Sequence, residues 1–220
     1  MRTTFHEQLG ALAADTAGMC GRAADMCTAA TALLLGDQSE SAATLHTSLR
    51  AVSKAGRSIS DHAFSLLALQ APVASELRAV VATIHIVGNI DRMAGLAANV
   101  GRMALRESPR VTLPGDVRDL VVEMSLAAGY SAQNARCAIE RGDPLFARQM
   151  EQEDGRMNIL HRELFEVVMR PRWPHGCAAA ADLVLIGRFY ERFADHAVDI
   201  ARQIYFQATG DHMAPQPQSH

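Results

Sequence analysis

Residues 183–204 read LVLIGRFYERFADHAVDIARQI, and within them Leu183, Ile186, Tyr190, Phe193, Ala197, Ile200 and Ile204 recur at steps of three and four. That period is one stripe of an α-helix, because residues three and four apart stack on the same face. At an offset of 100 positions, Asp91-Arg92-Met93-Ala94 lies against Glu191-Arg192-Phe193-Ala194, Ala97 against Ala197, Val100 against Ile200 and Arg102 against Arg202. The earlier segment carries Ile86, Ile90, Met93, Ala97, Val100 and Ala104 in the same rhythm. The chain therefore reads as an internal duplication whose unit ends in a long helix.

Working outward, Phe5, Leu9, Leu12, Thr16, Met19, Ala23, Met26, Ala30 and Leu33 form a first seam that stops at Gly36, with Asp37 or Ser39 placed to cap the second helix. A helix of about 30 residues is about 45 Å long, which suits an elongated bundle. The second seam is Leu45, Leu49, Val52, Gly56, Ile59, Ala63 and Leu66, ending before Pro72, and a third helix runs from about Val73 to Glu107. Pro109 to Gly115 reads as a link. A fourth helix spans roughly Asp116 to Glu140, and Gly142-Asp143-Pro144 supplies a stop, a cap and a proline for the first helical turn. Phe146, Met150, Met157, Leu160, Leu164 and Val167 mark a fifth helix up to Met169. The breaker Pro171 to Gly176 precedes the sixth, which ends at Gly210. The expectation is an all-α protein of two tandem, pseudo-symmetric three-helix bundles with long antiparallel helices. They cover residues 1–108 and 116–210, joined by 109–115 and followed by a flexible tail, 211–220. Breakers at regular places disfavour one continuous coiled coil.

Composition narrows the function. An apolar share of 49% suffices for a core, and an aromatic share of 5% with abundant alanine points to close-packed helices in place of sheet. A net charge of -3, without a Lys/Arg stripe, gives no reason to expect nucleic acid. The polar N-terminus lacks the apolar run of a secretory signal, and no stretch approaches about 18 apolar residues, so a cytoplasmic protein without a membrane span is expected. Cys20, Cys27, Cys137 and Cys177 contain no C-x-x-C pair, and plain packing is expected of those inside helices.

The chemistry-bearing residues concentrate on the sixth helix. Glu191, Asp195 and Asp199 recur every four residues and project from successive turns outside the apolar seam. Three neighbouring carboxylates repel unless cations neutralise them. Oxygen ligands suit hard ions such as Mg, Mn, Ca or ferric iron; the alternative is a solvated face paired with Arg188, Arg192 and Arg202. His196 points about 100° away from Asp195 on the helix and suits capping or an ion pair better than a metal. His161 could also ligate a metal, and Trp173 reads as a packing anchor of its loop. A di-iron carboxylate enzyme would need E-x-x-H pairs, and no Glu is followed three residues later by His. Walker A, H-E-x-x-H and G-x-S-x-G motifs are also missing.

Two segments carry a resemblance. Arg188 to Ile200, RFYERFADHAVDI, is similar to the E-R-x-x-D-x-A-x-N-I helix of the PhoU family, and Leu66 to Arg78, LLALQAPVASELR, to its L-L-A-L-Q-x-P-V-A-x-D-L-R turn. With the repeated units and the opening Met-Arg-x-x-Phe-His-x-x-Leu, the likeness covers all but the tail and is to the actinobacterial form of the family. It implies a cytoplasmic homodimer, not an enzyme, that restrains phosphate uptake and phosphate-starvation signalling. Its implied partners are the ATPase subunit of the phosphate ABC transporter and a phosphate-responsive sensor histidine kinase. It also implies a divalent or ferric ion (Fe, Zn, Mn, Mg or Ca) on an E(D)-x-x-x-D motif. Glu191 and Asp195 match that motif, Asp199 replaces an Asn, and a companion D-x-x-x-D on the fifth helix corresponds to Asp154 and Asn158, with Glu151 and Glu153 nearby. In the first half Asp91 keeps one acid, but Gly95, Leu49 and Ser53 stand at the other positions, so no metal is expected there. The alternatives are a helical scaffold without metal and a carboxylate metalloenzyme.

Overall fold

The computed structural model of the chain describes residues 2–37, 39–106, 113–152 and 155–213. Among them all regular structure is helical: α1 Arg2–Leu34, α2 Ala42–Gln70, α3 Ser75–Ala104, α4 Gly115–Arg141, α5 Pro144–Gln152, α6 Gly155–Val168 and α7 Gly176–Thr209. The expected fifth helix is thus described as two segments, on either side of Glu153 and Asp154, which lie outside the described residues. Gly36, Gly142 and Gly210 take positive φ where α1, α4 and α7 end, the conformation that releases a chain from a helix without a Cβ penalty. Neither Asp37 nor Ser39 caps α2. Ser41 does, its hydroxyl accepting from the Thr44 amide at 3.1 Å, while the Asp37 carboxylate instead accepts from the Ser39 amide within the turn. The link 109–115 and the tail are described only at 113–115 and 211–213; their remaining residues lie outside the described part.

Four helices, α1, α3, α4 and α7, form the centre; α2 packs on α1 and α3, and α5 and α6 pack on α4 and α7. The two central pairs run antiparallel. Along α3 and α7, Arg78 donates to the Gln207 carbonyl, Asn89 meets His196, and Arg106 pairs with Asp182. Along α1 and α4, Ser125 reaches Thr31 and the Cys20 thiol reaches the Ala132 carbonyl. One hydrophobic cluster runs through both halves. On α7, Leu183, Ile186, Phe193, Ile200 and Ile204 are buried, each worth about 1.5 to 3 kcal/mol relative to exposure.

At the centre sits a closed polar knot. The Thr31 hydroxyl donates to the Cys27 carbonyl at 2.8 Å, so its oxygen accepts from the Tyr190 hydroxyl at 2.7 Å and from Ser125 at 2.8 Å. Every group in the knot is satisfied, and burial pushes the Tyr190 phenol up.

The two halves fill equivalent positions with exchanged volumes. In the first, Gly56 of α2 receives the Met19 and Val87 side chains; in the second, Gly187 of α7 receives Leu164 and His161. A glycine on the outer helix against a valine has become a histidine on the outer helix against a glycine.

Candidate functional site

The predicted carboxylates lie along the partly exposed strip of α7. Glu191 is the most enclosed, its side chain 17% exposed; it pairs with Arg188, and His161 Nδ1 from α6 stands 3.6 Å from its carboxylate. Asp195 lies 3.6 Å from Arg192, and Asp199 accepts from Arg202 at 2.8 Å. Arg202 also donates to Glu151 at 2.8 Å, and that contact buries the Glu151 side chain against α7. Each carboxylate of the strip therefore has an arginine three residues away along the helix. Asp195 remains under-compensated: burial, then the charge of Glu191, holds its carboxyl above the ordinary carboxylate range despite Arg192.

Asn158 is exposed on α6, and Asp154 lies outside the described residues. Among the described residues no three His, Cys, Asp or Glu side chains converge as a metal cage. The donor set suits a single hard cation on Glu191 and Asp195, where desolvated like charges sit one turn apart, better than a multi-metal cluster.

In the first half, Asp91 accepts a hydrogen bond from Ser53 at 2.9 Å. A neutral hydroxyl thus serves the one acid of the motif that this half keeps. Beside it opens a cavity of about 370 Å³ lined by Gly56, Arg57, Ser60, Asp61 and Gly88, where the second half has His161, Arg162, Phe165, Glu166 and Arg188.

His196 is buried, and its Nδ1 lies 2.9 Å from the Asn89 side-chain oxygen across the α3–α7 seam. That oxygen only accepts, so Nδ1 carries the hydrogen. Burial, then Arg192, pushes the imidazole pKa down. This interhelix bond replaces the capping or ion-pair role read from sequence, and the signal that could have shown it is the polar Asn89 facing the same seam from α3. Asn99 accepts from Arg102 on its own helix. Trp173 donates to the Gly176 carbonyl at 3.0 Å and packs on the edge of the core, anchoring its loop.

A sequence model of the PhoU domain matches this chain twice, over residues 16–104 and 121–204. The phosphate-specific transport system accessory protein PhoU homolog 2 of Mycobacterium tuberculosis is 43% identical over 210 residues, covering 96% of this chain and 99% of that protein. PhoU homolog 1 of Mycobacterium leprae is 43% identical, over 96% of this chain and 95% of its own. In fold, the chain is similar to the phosphate transport system regulatory protein PhoU of Streptococcus pneumoniae, with a TM-score of 0.84 at 18% identity over 96% of this chain and 100% of that one. PhoU of Pseudomonas aeruginosa gives 0.80 at 23% identity over 94% and 100%.

Proposed function

This chain belongs to the PhoU family, and from that membership we propose that it restrains a phosphate ABC transporter and its sensor kinase pathway when phosphate is plentiful. The observation that carries the reading is the double PhoU domain match, joined to near full-length identity of 43% with relatives described as accessory proteins of phosphate-specific transport. On this reading the partners are the transporter's ATPase subunit and a phosphate-responsive sensor histidine kinase, met by a cytoplasmic homodimer. The chain acts by binding. The α7 strip supports this, because Arg188, Arg192 and Arg202 already hold its carboxylates, an arrangement suited to exchanging charged partners.

The same reading places a divalent or ferric ion on Glu191 and Asp195, with Asp199, Asn158 and Asp154 as further oxygen donors. Bound there, a cation would supply positive potential on the strip and offset the burial, and then the repulsion from Glu191, that hold the Asp195 carboxyl up. Arg188 and His161 must first release Glu191, so the affinity is expected to be modest.

Deleting the gene should release phosphate-starvation expression in phosphate-rich medium, read with a promoter reporter. Repression left intact in the deletion strain would refute the regulatory reading. For the metal, equilibrium dialysis with Mn or ferric iron should show binding that Asp195→Ala abolishes and Asp91→Ala leaves unchanged. The reverse pattern would move the site to the first half.

A further inference from the structure

At the end of the molecule where α1 and α3 begin and α4 and α7 finish, the four central helices leave a cavity of about 230 Å³ between them. Its inner wall is Thr16, Thr83, Ile86, Ile139 and Ile204, all buried, and Gly10, Ala13 and Gln207 stand at the more exposed rim. A Cβ on Gly10 would meet nothing within 4 Å, so the rim is open at that position. Because α1 and α3 come from the first half of the chain and α4 and α7 from the second, both halves build the wall.

The chemistry of the wall selects an occupant. Every lining residue is uncharged, so an ion entering the cavity would lose its hydration without compensation. The Thr16 hydroxyl donates to the Leu12 carbonyl at 2.7 Å and the Thr83 hydroxyl to the Ala79 carbonyl at 2.9 Å. Both hydroxyl hydrogens are thus used within their own helices, and each oxygen turns only accepting lone pairs to a ligand. These two acceptors stand among three isoleucines. Several waters would fit at about 30 Å³ each, but each needs two to four polar partners, and the isoleucines offer none. The volume also exceeds the roughly 150 Å³ of an apolar cavity that takes up benzene. An apolar molecule bringing one donor would meet a threonine oxygen and displace water that is poorly held.

We propose that this cavity is a binding site for a small, uncharged, largely apolar molecule with a single hydrogen-bond donor, of the size and kind of a bicyclic aromatic amine or alcohol. Its ring system lies against Ile86, Ile139 and Ile204, and its donor meets the hydroxyl oxygen of Thr16 or Thr83. Such a ligand touches both halves of the chain at once, so its binding free energy adds to the packing of one half on the other. The proposal goes beyond the family-based reading and stands without it, since it uses neither the metal strip nor the identity of any partner.

The test uses the full chain, isotope-labelled at its isoleucine methyl groups, and three probes: indole, benzothiophene and an indole carboxylate. In NMR titrations, indole should shift the methyl signals of Ile86, Ile139 and Ile204 and leave those of Ile59 and Ile159, on the outer helices, in place. Benzothiophene has nearly the same shape without the donor and should bind roughly fivefold more weakly, the worth of one net hydrogen bond. The indole carboxylate should not bind. In a Thr16→Val/Thr83→Val protein, shown to be folded by circular dichroism, indole and benzothiophene should bind equally. The comparison of the three probes on the unaltered chain decides the matter even where that variant does not fold. The proposal is overturned if neither neutral probe moves the three methyl signals up to its solubility, or if the shifts fall at Ile59 or Ile159 instead. It is also overturned if the carboxylate or benzothiophene binds the unaltered chain as tightly as indole, or if the preference for indole survives both valines.

Discussion

Two glycine-to-alanine substitutions separate helix propensity from packing, with opposite expected signs. Both Gly88 and Gly187 lie inside helices, so Ala at either should gain about 0.5 to 1 kcal/mol from backbone entropy and propensity. At Gly88 a Cβ meets nothing within 4 Å, and the gain should appear in full. At Gly187 the same Cβ would stand 2.6 Å from Leu164 Cδ2 and 3.2 Å from His161 Cδ2. Leu164 is 1% exposed and has little room to retreat, so overpacking of about 1 to 3 kcal/mol is expected. The propensity term cancels between the two variants, and their difference in stability is the packing cost itself. Thermal denaturation should raise Tm by roughly 1 to 4 °C for Gly88→Ala and lower it for Gly187→Ala, at about 2 to 4 °C per kcal/mol for a chain of this size. In a Leu164→Ala background the Gly187→Ala penalty should vanish. Gly187→Ala as stable as Gly88→Ala would refute the packing of α6 on α7, and with it the placing of His161 beside Glu191.

Three more outcomes rest on the core. Ala197, fully buried, leaves no room for growth, so Ala197→Leu should cost about 1 to 3 kcal/mol in denaturant unfolding, and an unchanged midpoint would put the seam in the wrong phase. Tyr190→Phe removes one donor from the Thr31 knot and should cost about 0.5 to 1.5 kcal/mol; a stabilised variant would mean the knot is unimportant. Burial pushes the Cys20 and Cys27 thiols up to about 12, while Cys177 is exposed. A thiol reagent at mildly alkaline pH should therefore label Cys177 first and reach Cys20 and Cys27 only on unfolding; fast labelling of Cys27 in the native state would contradict its burial.

The helix pattern is legible in the sequence because helical periodicity is a local property. Ala97 and Ala197, matched at an offset of 100, are both buried, and Gly142-Asp143-Pro144 ends α4 and starts α5 as expected. Ser41 as the cap of α2 is not legible, because capping depends on which of several polar residues in a turn aligns with the first amides, and Asp37, Ser39 and Ser41 all qualify in sequence. The candidate site is legible on α7 alone, where Glu191, Asp195 and Asp199 share a helix. The residues that face them are not. The approach of His161 to Glu191, of Ser53 to Asp91 and of Asn89 to His196 joins residues 30, 38 and 107 positions apart, from Glu191 minus His161, Asp91 minus Ser53 and His196 minus Asn89. Such pairs are fixed by helix packing, which periodicity does not specify.

The exchanged volumes of the two halves explain how a duplicated core can carry two different surfaces. A core position tolerates replacement when its partner compensates, and Gly56 with Val87 against His161 with Gly187 is such a compensated pair. Compensation conserves volume and leaves chemistry free. In the first half the exchange leaves Gly56, Ser60 and Gly88 around an open polar cavity. In the second, the outer helix carries the larger His161 and Phe165 at the matching places; His161 reaches Glu191, and Phe165 is half exposed. Because α3 and α7 run antiparallel, the uncharged turn after α2 and the basic turn after α6 lie at opposite ends of the molecule. A chain built from one repeated unit therefore presents two unlike ends, one uncharged and one basic.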